Sequence, residues 1–147
     1  MLRLRKELEN NIQVIESIES WEKAIELASK PLLEKNKIEK RYVESMIDNI
    51  NKLGPYVVLM PRIAMPHSRP ESGVIESCMS LLKINTGVAF SKDKNKEKVN
   101  IIFILGAKDN DSHLELISQL TDLLEDETKI ENIILAEDEN KILNLIN

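Results

Sequence analysis

VNIIFILGA, residues 99 to 107, is an apolar run with one polar member, Asn100. It is far short of the roughly 20 residues of a membrane span. It is also too evenly apolar for a strand with one wet face. Rich in isoleucine and closed by Gly106-Ala107, it reads as a strand buried on both faces. CMSLLKI (78–84) and YVVLM (56–60) have the same character. Strands with two dry faces need cover on both sides, and the flanking sequence carries helical spacing. In SWEKAIELASKPLLEK, Ser20 can cap a helix whose inner face is Trp21, Ile25, Leu27, Ala28 and Leu32. IEKRYVESMIDNINKL repeats the pattern with Ile38, Tyr42, Met46, Ile50 and Leu53 and stops at Gly54-Pro55. Helical spacing returns in HLELISQLTDLLED, with Leu114, Ile117, Leu120, Thr121 and Leu124 as its buried face, and in the segments from 128 and 138. Thr128 with Glu131 matches a capping box. Helices, then strands, then helices predict an α/β fold: a single domain over residues 1–147, an α/β/α sandwich with one sheet covered on both faces. SKDKNKEKV (91–99) reads as an exposed loop between strands.

Composition narrows the function. A formal net charge of −5 argues against a chain built to bind nucleic acid or an anionic membrane. No apolar run is long enough for direct membrane insertion, and the charged start, MLRLRKELEN, lacks the apolar centre of a signal peptide. The single cysteine, Cys78, cannot form an internal disulfide, which fits a cytoplasmic protein. Inside a strand, Cys78 is a small buried hydrophobe rather than a reactive thiol.

Four of the five prolines lie between 55 and 70, and three of them fall with one of only two histidines in MPRIAMPHSRPESGV (60–74). Proline fixes its own φ and biases the residue before it toward extended geometry. Pro66 and Pro70 therefore hold the loop around His67 in few conformations, which suits a nucleophile that meets its partner in one orientation. Ser68 adjoins it, and Arg69, two residues on, offers a forked donor to an anion. The other histidine, His113, lies in DNDSHLEL, where Ser112 followed by Glu115 matches a capping box. His113 then falls in the first turn of a helix, next to free N–H groups and the positive dipole end. Both histidines follow a strand, and ligands of open sheets gather at the carboxyl ends of strands. Asp109 and Asp111 near His113 do not make a metal signature, and no Gly-rich phosphate loop is present. No metal or cofactor is expected.

GPYVVLMPRIAMPHSRPESGV (54–74), together with SWEKAIELASKPLLEKN, RYVESMI and GAKDNDSHLELISQLTDLLED, resembles the enzyme IIA component of the bacterial phosphoenolpyruvate-dependent sugar phosphotransferase system. The resemblance is to the mannitol/fructose-type family, closest to its ascorbate branch with the pattern PGIAMPHARPEDGV, and it covers essentially the whole chain. It implies a mixed sheet flanked by helices, with His67 as the phosphorylated residue and His113 as the second histidine that stabilises the phosphoryl group. HPr is then the phosphoryl donor. A cysteine of a cognate enzyme IIB is the acceptor, and the membrane enzyme IIC is served indirectly. The substrate is ascorbate or a related sugar acid or polyol. A second function carried by IIA-like relatives is regulatory: a stand-alone module whose phosphorylation state controls a transcription factor or another partner. Arg69, Ser68 and Ser112 are the expected phosphoryl-binding residues. Arg62 stands where the family usually has a small residue, often glycine; crowding the site, contacting the anion and pointing outward are all open to it. Mannitol-type members also carry an arginine in the helix before the active strand, and SMIDNINKL (45–53) has none. Either imidazole nitrogen is open to phosphorylation on sequence grounds.

Overall fold

The computed structural model describes residues 2–91 and 98–146. In chain order its elements are α1 (Leu2–Leu8), β1 (Ile12–Ile15), α2 (Trp21–Glu34), α3 (Lys40–Leu53), β2 (Val58–Met60), β3 (Ile63–Ala64), a 3-10 turn (Pro70–Ser72), β4 (Cys78–Val88), β5 (Val99–Gly106), α4 (Asn110–Leu124), α5 (Glu127–Leu135) and α6 (Glu139–Leu145). The five strands form one mixed sheet in the order β1-β4-β5-β3-β2. β1 runs parallel to β4, β4 antiparallel to β5, β5 parallel to β3 and β3 antiparallel to β2.

Strands β4 and β5 are the centre, and their alternation builds two separate cores. Leu82, Ile84, Ile102 and Ile104 pack with Ile25, Ala28 and Leu32 of α2 and Tyr42, Met46 and Ile50 of α3. Met79, Leu81, Ile101, Phe103 and Leu105 pack with α1, α4, α5 and α6 through Leu4, Leu8, Leu116, Leu120, Leu123, Ile133 and Ile142. Every residue of β5 is buried, as a strand with helices on both sides requires. The mixed sheet and the two helical layers confirm the predicted α/β/α architecture.

Two polar demands of this interior are met by side chains, while the buried Ser29 hydroxyl has no hydrogen-bond partner among the described residues. Pro31 lies inside α2 and has no N–H for the Leu27 carbonyl one turn back; Gln13 of β1 donates there through Nε2 at 2.7 Å. Buried Lys83 reaches from β4 to the C-terminal end of α5, where its Nζ donates to the Ala136 carbonyl at 2.8 Å and to Asn85 Oδ1 at 2.6 Å. A cation at a helix C-terminus is favourable. Cys78 is buried, and burial pushes its thiol up to about 12, so it is an unreactive core residue as expected.

Several expectations need correction. The run 56–60 is not a strand buried on both faces: only Val58–Met60 is extended, and it is a half-exposed edge strand. Ile38 precedes α3 and bridges Val74, while Leu53 is 71% exposed. In α4 the buried stripe is Leu116, Leu120 and Leu123, leaving Leu114 and Thr121 outside. That helix has apolar residues on two overlapping stripes, and only one of them faces the sheet. Helix α5 is capped by Asp126, whose side chain accepts from Lys129 N, and not by Thr128. Elements α1, β1 and β3 are too short for a period to register in sequence. The predicted loop at 91–99 lies mostly at 92–97, outside the described residues.

Candidate functional site

Strands β3 and β5 are parallel neighbours, so their carboxyl ends open at the same edge. The pairing continues one step past β3, where Leu105 N–H donates to the Pro66 carbonyl at 3.3 Å. His67 follows at once and enters a cavity of about 370 Å³ whose walls include Tyr42, Asn49, Tyr56, Ser68, Arg69, Asp109, Asn110 and His113. The two histidines, distant in sequence, therefore line one cavity, as their placement after strands predicts. His67 Nδ1 lies 2.9 Å from the Met65 carbonyl oxygen. A carbonyl only accepts, so Nδ1 carries the hydrogen and the lone pair is left on Nε2. Tyr56 stands edge-on to the His67 ring, with centroids 6.3 Å apart.

The loop after His67 is fastened to α3. The Tyr42 hydroxyl accepts from Ser68 N–H at 3.0 Å and donates to the Leu105 carbonyl at 2.6 Å. Ser68 Oγ shares a 2.7 Å hydrogen bond with Ser45 Oγ and accepts from Asn49 Nδ2 at 3.2 Å. The Tyr42 ring is fully buried, and burial raises its hydroxyl to about 12, which keeps it a donor. At the other end of the loop Gly73 has φ +135, and a Cβ there would sit 3.1 Å from Tyr42 Cβ. The positive φ favours glycine, and the close approach of Tyr42 leaves little room for a side chain. The loop from 66 to 73 is wound about one tyrosine.

Helix α4 brings His113 from the opposite layer. Its cap is Asp109 rather than Ser112: the Asp109 carboxylate accepts from Ser112 N at 2.8 Å, and His113 N closes the first backbone bond to the Asp109 carbonyl. Chiefly the Ser112 N–H, and to a lesser degree its hydroxyl, holds the Asp109 carboxyl below its ordinary range. The anion place at this helix start is therefore partly taken by the chain's own carboxylate, and Ser112 does not line the cavity. Glu115 pairs with Arg3 at 3.5 Å instead of completing a capping box. Arg69 is exposed on the cavity wall.

Arg62 is not at the cavity. It lies in the β2–β3 turn at the start of β3, where its Nε donates to Asn100 Oδ1 at 3.0 Å and its carbonyl accepts from Asn100 and Ile101 N–H. Its φ is +76. Proline followed by a left-handed residue is the pattern of a type II turn, and glycine is the usual second residue. The turn geometry accounts for a small residue there; close approach to the site does not.

Tyr42, Ser45, Asn49, Tyr56, Asp109 and Asn110 were not legible as site residues. Tyr42 reads in sequence as one more apolar contact of a helix face, and Ser45 and Asn49 as its polar edge. The signal available is their spacing: 42, 45 and 49 stand three and four residues apart, on one stripe of a helix.

The family model described as "Phosphoenolpyruvate-dependent sugar phosphotransferase system, EIIA 2" matches residues 8–147. The chain is 37% identical over 138 residues to the mannitol-specific cryptic phosphotransferase enzyme IIA component of Escherichia coli, covering 94% of this chain and 92% of that one. It is 32% identical over 148 residues to the ascorbate-specific EIIA component of the same organism, covering 99% and 96%. The solution structure of the cryptic mannitol enzyme IIA from Escherichia coli superposes with a TM-score of 0.90 at 36% identity, over 98% of this chain and 97% of that one. A mannitol enzyme IIA from Escherichia coli, solved in complex with phosphorylated enzyme IIB, matches with a TM-score of 0.79 at 27% identity, over 93% and 94%.

Proposed function

The chain belongs to the EIIA type 2 family of the phosphoenolpyruvate-dependent sugar phosphotransferase system, whose members are phosphotransferases, and from that premise we propose that it is a cytoplasmic phosphocarrier, one EIIA domain over residues 1–147, that loads a phosphoryl group on His67. The observation that carries this reading is the imidazole pair: His67 with Nδ1 tied to the Met65 carbonyl, and His113 on the same cavity wall. The Nε2 lone pair of His67 attacks phosphorus of phosphohistidine on HPr. The new N–P bond forms as the old one breaks, and the donor nitrogen takes back its electron pair. No proton moves between the proteins, because each ring keeps its hydrogen on the other nitrogen.

Phosphoryl transfer of this kind depends on positioning and on charge placed around the equatorial oxygens. His113 and Arg69 are the cavity groups suited to those oxygens, and Asn110 lies beside them. Ser68 presents its hydroxyl from a fixed position. A cysteine thiolate of a cognate enzyme IIB then attacks the phosphorus, and the N–P electrons return to Nε2. The solved complex of a mannitol enzyme IIA with its phosphorylated IIB supports a IIB partner. The transported substrate in this reading is ascorbate or a related sugar acid or polyol, consistent with both named relatives.

The reading is tested by incubating the protein with phosphoenolpyruvate, enzyme I and HPr and measuring intact mass. The expected gain is one phosphoryl group, lost again on addition of a cognate IIB. No gain, under conditions that load another EIIA of the family, overturns it.

Arg62 is expected to have no part in this chemistry. Arg62→Gly trades a left-handed side chain, worth about 1 kcal/mol of strain, for the loss of the hydrogen bond to Asn100, worth about as much. Thermal unfolding should therefore shift little, and the transfer rate should stay within about twofold of wild type. A tenfold loss of rate in a folded variant places Arg62 in the site after all.

A further inference from the structure

Both neighbours of His67 are fastened to one residue of β5. Pro66 accepts from Leu105 N–H. Ser68 N–H donates to the Tyr42 hydroxyl, which in turn donates to the Leu105 carbonyl. His67 thus spans a short bridge whose two piers stand on the same residue, one directly and one through a buried phenol. Ser45 and Asn49 then hold the Ser68 side chain. None of the three α3 residues that make these contacts carries a charge, so the stripe contributes geometry and not field. Asn49 can only donate through Nδ2, and it takes one lone pair of Ser68 Oγ; when Ser45 donates as well, the Ser68 hydrogen is left for a group in the cavity.

We propose that Tyr42, Ser45 and Asn49 are positioning residues for phosphoryl transfer at His67, acting through Ser68. This rests on the phosphocarrier reading above and goes further, because it assigns the placement of the nucleophile to one face of α3 rather than to the prolines of the loop. Prolines restrict the loop's own torsions, and the Pro66 carbonyl ties the near side of His67 to β5. The far side, at Ser68, is tied to β5 through the Tyr42 hydroxyl of α3.

The test is transfer from phospho-HPr, with kcat and KM measured for wild type, Tyr42→Phe, Asn49→Ala, Ser68→Ala and the Asn49→Ala/Ser68→Ala double variant. Tyr42→Phe keeps the buried ring and removes only the hydroxyl. Its kcat should fall about tenfold, the equivalent of one well-placed hydrogen bond, with KM within about twofold. Asn49→Ala should lower kcat about threefold alone and add nothing in the Ser68→Ala background, because its route runs through that hydroxyl. The amide signal of Ser68 should shift in Tyr42→Phe. Wild-type kcat in Tyr42→Phe overturns the role of the phenol. An Asn49→Ala effect undiminished by Ser68→Ala overturns the route through Ser68 and points to direct contact with the phosphoryl group. Should Tyr42→Phe fail to fold, the Asn49–Ser68 cycle, at half-buried positions, decides. Absence of phosphate uptake by the wild type overturns the phosphocarrier reading itself, and the positioning role with it. Normal uptake with unaltered variants overturns the positioning role alone.

Discussion

His67→Ala is expected to take up no phosphoryl group from phospho-HPr, while its circular dichroism and unfolding midpoint stay close to wild type. In the proposed reading the reacting atom is Nε2, and no other cavity side chain repeats its arrangement of a ring whose second nitrogen is held by a backbone carbonyl. Losing it removes the bond-forming step and not merely a fraction of its rate. The structural cost is small, because the ring is half-exposed and makes one hydrogen bond, to Met65 O, together with the edge contact to Tyr56; about 1 kcal/mol covers the bond. Intact mass decides the matter, and acid-labile phosphate on the variant sinks the assignment. In the wild type, nitrogen–phosphorus couplings should place phosphorus on Nε2. Phosphorus on Nδ1 instead requires the ring to leave the Met65 carbonyl, and it contradicts the tautomer that this carbonyl imposes.

His113→Ala is expected to lower kcat by about a hundredfold, the scale for removing one donor aimed at developing charge, with KM for phospho-HPr nearly unchanged. The endpoint still reaches one phosphoryl group, because His67 remains. Two features underlie this expectation. Asp109 already occupies the Ser112 N–H, so the helix start offers the phosphoryl oxygens less than a free N-terminus does. Arg69 is exposed, and water screens its charge. His113→Gln, which keeps an N–H donor, should recover part of the loss. Stopped-flow transfer at saturating phospho-HPr measures both variants. An alanine variant at wild-type rate makes His113 a bystander on the cavity wall.

The centre of the fold was readable because burial on both faces leaves an unmistakable imprint: 78–84 and 99–107 contain almost nothing that water would favour, and both are central strands. The edges were not. β1 and β3, with four and two residues, hold too few positions for a period, and they exist because β4 and β5 offer them partners. Caps were misplaced for a local reason. Asp109 and Asp126 lie a few residues before Ser112 and Thr128, all four are good cap residues, and the choice depends on where the chain leaves extended geometry. At the site, chemistry was easier to find than support. Two histidines among 147 residues draw attention, whereas Tyr42, Ser45 and Asn49 acquire meaning only once the loop is wrapped across their stripe. Arg62 was left open in sequence between the site and the outside; it sits in the β2–β3 turn, with β3 between it and the His67 loop.

The two imidazoles belong to different halves of the interior. The His67 loop is fastened to α3, which packs on one side of the sheet, and His113 rides on α4, which packs on the other. Their spacing therefore works as a vernier between two helical layers that meet through the sheet they share. Close-packed interiors transmit small volume changes instead of absorbing them. A methylene lost beneath α4, or one added beneath α3, slides one scale past the other without breaking a single bond at the cavity. The distance between the imidazoles is then set from both sides of the sheet, by packing that lies well away from the cavity.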